Sequence, residues 1–165
     1  MEFVSVIMGS KSDYEIMQNC IEILQSFDIP FEVLISSAHR SPKRTEEYVA
    51  EAEKRGAQVF ICAAGMAAHL AGAVCARTTK PVIGVPLAGG VLDGLDALLS
   101  TAQMPGGMPV ACMSVGKAGA VNAAYFAMQI LGLNNQNVSQ KLLKDRESKT
   151  KKVEQDSKEI EVRIH

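Results

Sequence analysis

The fold of this chain is decided by residues 4–20, which read VSVIMGSKSDYEIMQNC. The apolar run at residues 3–8 is long enough for one buried strand, and it breaks at Gly9 and Ser10. Apolar residues then recur with the 3.6-residue period of one helical face, at Met17, Cys20, Ile21 and Leu24. The stretch therefore predicts a buried strand that passes through a glycine-serine turn into an amphipathic helix.

The turn between this strand and helix is suited to binding an anion. Backbone N–H groups at a helix N-terminus and the positive end of the helix dipole attract negative charge. Ser12, with Glu15 three residues later, predicts a capping box that opens the helix. The hydroxyls of Ser10 and Ser12 would add donors, and Asp13 could accept a hydrogen bond from a sugar hydroxyl. The same residues would also make an ordinary capped turn without a ligand.

The alternation of strand, short loop and helix recurs along the chain. Strands are predicted at residues 3–8, 31–35, 58–62, 81–86 and 108–115, and helices at about residues 12–27, 42–55, 67–78, 93–101 and 118–131. Five such alternations predict an α/β fold with a parallel, doubly wound sheet. The polar and glycine-rich loops follow the strands, so they should meet at one edge of the sheet, where such folds bind ligands. These loops are residues 9–13, 36–40, 63–66 and 87–90.

Length and patterning predict one catalytic domain at residues 1–134, followed by a charged C-terminal helix or tail at residues 135–165. Acids and bases alternate in the second segment, which suits a solvated helix or a helix that lies on another subunit. The net charge of −1 gives no basic excess for binding nucleic acid. We expect neither a signal peptide nor a membrane span. The 4 cysteines lack any CxxC pair, which favours reduced thiols in the cytoplasm.

His39 and Arg40 are the first candidates for chemistry, because they lie together in the loop predicted after the second strand. An imidazole can give and take protons near neutral pH, and a guanidinium suits phosphate or carboxylate. His39 could equally be a helix-start histidine beside an unrelated surface arginine. His69, in the third loop region, could line a pocket or simply pack in a helix of small residues. The dispersed histidines show no metal-ligand spacing, and no dinucleotide motif occurs.

Several blocks of sequence resemble the class I N5-carboxyaminoimidazole ribonucleotide mutases. The resemblance covers about residues 3–132, and the blocks that carry it are MGSKSD at 8–13, SAHRSP at 37–42, AAHL at 67–70, GVP at 84–86, QMP at 103–105, GMPV at 107–110 and GKAGA at 116–120. Two positions depart from the family pattern: Met66 replaces a second glycine, and Ala71 replaces a proline.

The resemblance implies a three-layer α-β-α sandwich with a flavodoxin-like sheet and a C-terminal helix. It implies a mutase of de novo purine synthesis that moves a carboxyl group from N5 to C4 of aminoimidazole ribonucleotide, without cofactor or metal. It also implies a homo-octamer, and alanine-rich helices at residues 67–76 and 118–127 would allow close packing between subunits. By the resemblance, His39 would transfer protons, and Ser10, Asp13 and Arg40 would bind the ribonucleotide with its 5′-phosphate. We expect the rest of the substrate-binding surface to comprise Gly9, Ser12, Ser37, Ala38, Gly65, His69 and Leu70.

Two other functions remain compatible with the same residues. One is an aminoimidazole ribonucleotide carboxylase, which would take free CO2 onto the same nucleotide. The other is a nucleotide-binding module in which His39 has no catalytic role. Because the segment at residues 67–70 followed by Gly84-Val85-Pro86 resembles the mutase class, we expect the mutase.

Overall fold

A single parallel sheet forms the centre of the computed structural model, which describes residues 1–164. Its strand order is β2-β1-β3-β4-β5, and the strands are β1 (Phe3–Met8), β2 (Phe31–Ile35), β3 (Ala57–Gly65), β4 (Val82–Leu87) and β5 (Ala111–Cys112). Every adjacent pair is parallel. This is the flavodoxin-like order, so the predicted doubly wound fold is confirmed.

Helices cover both sides of the sheet and complete the three layers. The helices of the described residues are α1 (Tyr14–Ser26), α2 (Pro42–Arg55), α3 (Leu70–Cys75), α4 (Leu95–Ala102), α5 (Lys117–Gly132) and α6 (Gln136–Ile160). A short 3-10 turn, Lys11–Asp13, joins β1 to α1. The predicted start and end of α2 are confirmed, because Ser41 precedes Pro42 at the N-terminus and Gly56 ends the helix with a left-handed φ of 111°.

Strand β1 lies inside the sheet, between β2 and β3. All six of its residues are buried, as expected for a strand of a parallel sheet that is covered on both faces. Phe3 and Ile7 belong to one apolar cluster with Val49 and Ala52 of α2 and with most of α3. Removing these apolar side chains from water is the main stabilising contribution to such a domain.

The largest differences from the boundaries expected from the sequence are in β3, α3 and β5. β3 continues to Gly65 because its last residues pair with β4, Gly65 opposite Leu87. α3 is shorter than the predicted helix at residues 67–78, because it begins only at Leu70 and ends at Cys75. Met66, just before the predicted start, has a left-handed φ of 54°. β5 contains two residues instead of the predicted eight at 108–115, and Pro109 in that run has no N–H to donate to a ladder.

The predicted capping box of Ser12 and Glu15 is wrong. The reciprocal pairing occurs two residues earlier, between Ser10 and Asp13, whose carboxylate Oδ2 accepts the Ser10 N–H at 2.9 Å. The 3-10 turn between β1 and α1 moves the start of the α-helix to Tyr14, so the cap belongs to the turn.

The chain divides into two compact units, the second of which begins at Met128 inside α5. Within it, Asn135 caps α6 by accepting hydrogen bonds from the N–H groups of Asn137 and Val138. The predicted C-terminal helix is thus confirmed, while the predicted boundary at residues 134/135 stays a prediction and residue 165 lies outside the described residues. Most of α6 is exposed and carries ion pairs of the i,i+4 type, such as Lys152 with Asp156. Within residues 1–164, no helix combines the length and apolar character that crossing a membrane requires.

Candidate active site

One cavity of about 500 Å³ opens at the carboxyl ends of β1, β2, β3 and β4. It contains every residue that the sequence analysis proposed for the site: Gly9, Ser10, Ser12, Asp13, Ser37, Ala38, His39, Arg40, Gly65, His69 and Leu70. The sheet order explains this, because the loops after β1 and β3 flank the point where the strand order reverses. Their roles toward a ligand stay predictions.

The loop after β2 is held in shape by serine hydroxyls. The Ser41 hydroxyl accepts the Ser37 N–H at 3.0 Å, and the Ser37 hydroxyl accepts the Arg40 N–H at 3.1 Å. Behind them, the buried hydroxyls of Ser36 and Thr45 lie 2.7 Å apart. These contacts fix the backbone, so the exposed side chains of His39 and Arg40 project from a rigid loop.

Two imidazoles meet inside the cavity. Nε2 of His39 lies 2.8 Å from Nδ1 of His69, and the rings are nearly perpendicular at 83°. One nitrogen must donate and the other must accept, so the tautomer of each ring depends on its partner. The arrangement leaves Nδ1 of His39 and Nε2 of His69 as the outward-facing ring nitrogens of the pair. The sequence analysis named both residues but did not pair them.

The Gly-Ser turn after β1 is more internally bonded than the sequence analysis assumed. The Gly9 N–H binds the Ala63 carbonyl at 3.1 Å, and the Ser10 N–H binds Asp13. Both N–H groups are therefore already occupied within the protein. The turn also carries two exposed hydroxyls, since the Ser10 and Ser12 Oγ atoms lie 2.6 Å apart.

The carboxyl of Asp13 is the acidic group of the cavity. Its partial burial raises the pKa above the ordinary value of 3.8, and this effect exceeds the opposing ones. Those opposing effects come from hydrogen bonds with Ser10, from the nearby backbone of Gly9 and from the charge of Arg40, all of which favour the ionised form. Asp13 and Arg40 thus bring opposite charges to the same cavity.

The third loop of the cavity contains residues that the sequence analysis did not assign to the site. Met66 has a left-handed φ of 54°, and its side chain is 61% exposed. It lies beside the loop after β4, because a Cβ added to Gly90 would be 3.5 Å from the Met66 Cγ. The other lining residues that the sequence analysis did not assign are Ala64, Ala67, Ala88 and Gly89. Their position at the carboxyl ends of β3 and β4 was the only sequence feature that could have indicated them.

The cysteines take no part in this cavity. Cys20, Cys62 and Cys75 are buried, and all 4 cysteines are free thiols. Burial raises the pKa of Cys20 to about 12 and raises that of Cys62 as well, so neither would be a thiolate near neutral pH. Within residues 1–164 there is also no cluster of three or more His, Cys, Asp or Glu residues that could hold a metal ion.

Known proteins resemble this chain over nearly its whole length. An N5-carboxyaminoimidazole ribonucleotide mutase from Bacillus subtilis (strain 168) is 47% identical over 157 residues, which cover 95% of this chain and 97% of the relative. A protein of the same name from Saccharolobus solfataricus is 50% identical over 144 residues, which cover 87% of this chain and 90% of that protein.

The fold has a close counterpart among solved structures. The crystal structure of Treponema denticola PurE superimposes with a TM-score of 0.89 at 25% sequence identity, covering 98% of this chain and all of that one. The family described as AIR carboxylase matches residues 3–152, which include all five strands and the whole cavity. The chain therefore belongs to the AIR carboxylase family.

Proposed function

We propose that this protein is an N5-carboxyaminoimidazole ribonucleotide mutase, which interconverts N5-carboxyaminoimidazole ribonucleotide and 4-carboxy-5-aminoimidazole ribonucleotide in de novo purine synthesis. The observation that carries the proposal is the name shared by relatives of 47% and 50% identity that align over nearly their whole length. A cavity with a histidine pair, one arginine and one carboxyl supports it, because those groups suit proton transfer to a phosphorylated sugar derivative.

The 5′-phosphate is bound by Arg40 together with the hydroxyls of Ser10 and Ser12. A guanidinium gives phosphate a planar set of charged donors, and these three side chains line the same cavity. Asp13 accepts a ribose hydroxyl with the acceptor positions that the Ser10 N–H does not use. Gly9, Ser37, Ala38, Gly65 and Leu70 complete the substrate-binding surface.

His39 acts first as an acid and then as a base. As imidazolium it protonates the N5 carbamate nitrogen, and the C–N bond breaks to give CO2 and aminoimidazole ribonucleotide. CO2 then adds to the nucleophilic C4, and the neutral imidazole removes the C4 proton to restore the aromatic ring. The proton that His39 gives up first is balanced by the one it takes last, so a single residue suffices. His69 binds the ring of His39 and holds its orientation.

The enzyme works as a homo-octamer in the cytoplasm. The alanines of α5 do not support this as the sequence analysis expected, because Ala120, Ala123, Ala124 and Ala127 are buried within the chain itself. Support comes instead from exposed apolar side chains, among them Val91, Leu95 and Leu99 at intervals of four residues. Light scattering at micromolar protein should give eight times the chain mass of 17.7 kDa, and a monomer mass would contradict the assembly. The free thiols suit a reducing compartment.

Turnover of the purified protein with N5-carboxyaminoimidazole ribonucleotide is the decisive test. A mutase releases and recaptures CO2 inside the site, so it should convert this substrate without added bicarbonate. Labelled bicarbonate in the medium should then enter the product only slowly. The carboxylase alternative predicts the reverse, a rate that rises with dissolved CO2 and no turnover of the N5-carboxylated substrate. Binding without any turnover would indicate the nucleotide-binding module.

A further inference from the structure

A hydroxyl outside the cavity contacts the loop that carries His69. Oγ of Ser100, on α4, accepts the Ala68 N–H at 3.0 Å and lies 3.4 Å from the Met66 carbonyl oxygen. The Ser100 hydroxyl donates to the carbonyl of Asp96 in its own helix at 2.7 Å. The accepted bond thus joins α4 to the backbone of the loop at Ala68, while the short donated bond stays within α4 and fixes the direction of the hydroxyl.

This contact satisfies a backbone group that water cannot easily reach. Ala68 is 2% exposed, and a buried N–H without a partner is strongly unfavourable. The loop needs such a restraint, because Met66 adopts the left-handed conformation that residues with a side chain rarely occupy. Strained backbone of this kind persists where neighbouring contacts hold it in place.

The restrained segment leads directly to the histidine pair. His69 follows Ala68 in the chain, and its Nδ1 lies 2.8 Å from Nε2 of His39. A shift of the Ala68 backbone would therefore be passed on to the hydrogen bond between the two rings. Ser100 itself does not line the cavity.

We infer that Ser100 is a positioning residue, which holds the 66–69 loop so that His69 orients the ring of His39 for proton transfer. The expected effect on turnover rests on the proposed mutase function. The expected effect on the two histidine rings rests on the hydrogen bonds alone.

The kinetic test compares Ser100→Ala with a matched variant on the next residue of the same helix. Thr101→Val also removes a hydroxyl that donates to an α4 carbonyl, here that of Ala97, but this hydroxyl has no contact with the loop. Ser100→Ala should lower kcat about ten-fold with KM changed less than about two-fold, because a small misplacement of a catalytic group is costly. Thr101→Val should leave kcat within about two-fold.

A double-variant comparison separates positioning from a general structural effect. In a His69→Ala background the Ser100→Ala change should alter kcat by less than about two-fold, since the ring through which Ser100 acts is already absent. A further ten-fold loss in that background, or an unchanged kcat in Ser100→Ala alone, would overturn the inference.

The structural test needs no activity, so it distinguishes failure of this inference from failure of the proposed function. With 3 histidines in the chain, long-range ¹H–¹⁵N spectra resolve the rings of His39 and His69. Their ring nitrogen shifts should change in Ser100→Ala and stay as in the wild type in Thr101→Val. Unchanged ring shifts in Ser100→Ala would refute the inference, whatever the substrate proves to be. If Ser100→Ala does not fold, Ser100→Cys, which keeps a side chain of similar size with a much weaker acceptor, is subject to the same criteria.

Discussion

The rings of His39 and His69 are joined by a 2.8 Å hydrogen bond although 30 residues separate them in the chain. They lie on the loops after β2 and β3, the two strands that flank β1 on either side. The loop after β1, with Gly9, Ser10 and Asp13, therefore lies between the two loops that carry the histidines. A ligand bound on that loop would be placed next to both rings.

Replacing His39 by Asn tests proton transfer. The amide keeps a polar side chain at the position but cannot titrate near neutral pH. General acid–base groups typically contribute about a hundred- to ten-thousand-fold, so we expect turnover to fall by at least about a hundred-fold. Nucleotide affinity, measured by calorimetry, should change little. A variant that kept more than about a tenth of wild-type turnover would exclude His39 from the mechanism.

Replacing Arg40 by Ala tests phosphate binding. Loss of a charged donor to phosphate should weaken ribonucleotide binding by about 2 kcal/mol. Arg44→Ala is the matched control, because Arg44 is an exposed arginine of α2 that does not line the cavity. Calorimetry should show weakened binding for the first variant alone. Equal affinities in the two variants would show that the phosphate binds elsewhere.

Asp13 should make the free protein less stable as the pH rises. Burial raises its pKa in the folded state above the ordinary 3.8, so the folded chain holds this proton more tightly than the unfolded chain does. The stabilising contribution of the protonated carboxyl is complete below pH 3.8 and is lost as the pH rises through the pKa of the folded state. Asp13→Asn should remove this component from the pH dependence of the free energy of unfolding, measured by urea denaturation.

Glu32 should change the stability of the protein with pH in the opposite direction, so it serves as a comparison for Asp13. Hydrogen bonds from Arg55 hold the pKa of this carboxyl below its ordinary value of 4.5. The stabilising contribution of the ionised Glu32 carboxylate is therefore present above pH 4.5 and is lost as the pH falls through the pKa of the folded state. Glu32→Gln should flatten the acid side of the stability profile, whereas Asp13→Asn should not. Identical profiles for the two variants would contradict both assignments.

Met66 allows a direct measurement of backbone strain in the cavity. Met66→Ala and Met66→Gly both remove the side chain beside Gly90, but only glycine adopts a φ of 54° without steric cost. The glycine variant should therefore be more stable than the alanine variant by about 1 kcal/mol. The comparison uses the urea midpoints of the two proteins. A more stable alanine variant would mean that the loop relaxes to another conformation.

The sequence was informative wherever a pattern is local. The apolar run at residues 3–8 predicted β1 to the residue, and the bounds predicted for β2 are also those of the structure. Ser41-Pro42 with Gly56 predicted both ends of α2. The gathering of four loops into one cavity also followed, because parallel strands bring their carboxyl ends to the same edge.

What could not be predicted depends on contacts between distant residues. The extension of β3 to Gly65 required pairing with β4, and the short β5 depended on which residues of the 108–115 run met β4. The hydrogen bond between His39 and His69, and that between Ser100 and Ala68, join residues about 30 positions apart. No periodicity within the chain encodes such contacts. The left-handed φ of Met66 was hidden as well, since methionine gives no signal for that conformation.

The position of β1 between β2 and β3 has a consequence for how this protein acquires its structure. β1 precedes both of its partners in the order of synthesis, and one of them, β3, begins only at Ala57. Until the chain reaches that strand, the apolar run of residues 3–8 has no neighbour on one side and remains open to wrong pairings. The sheet can close around β1 only after β3 has been made, and such pairing between distant strands favours slow folding.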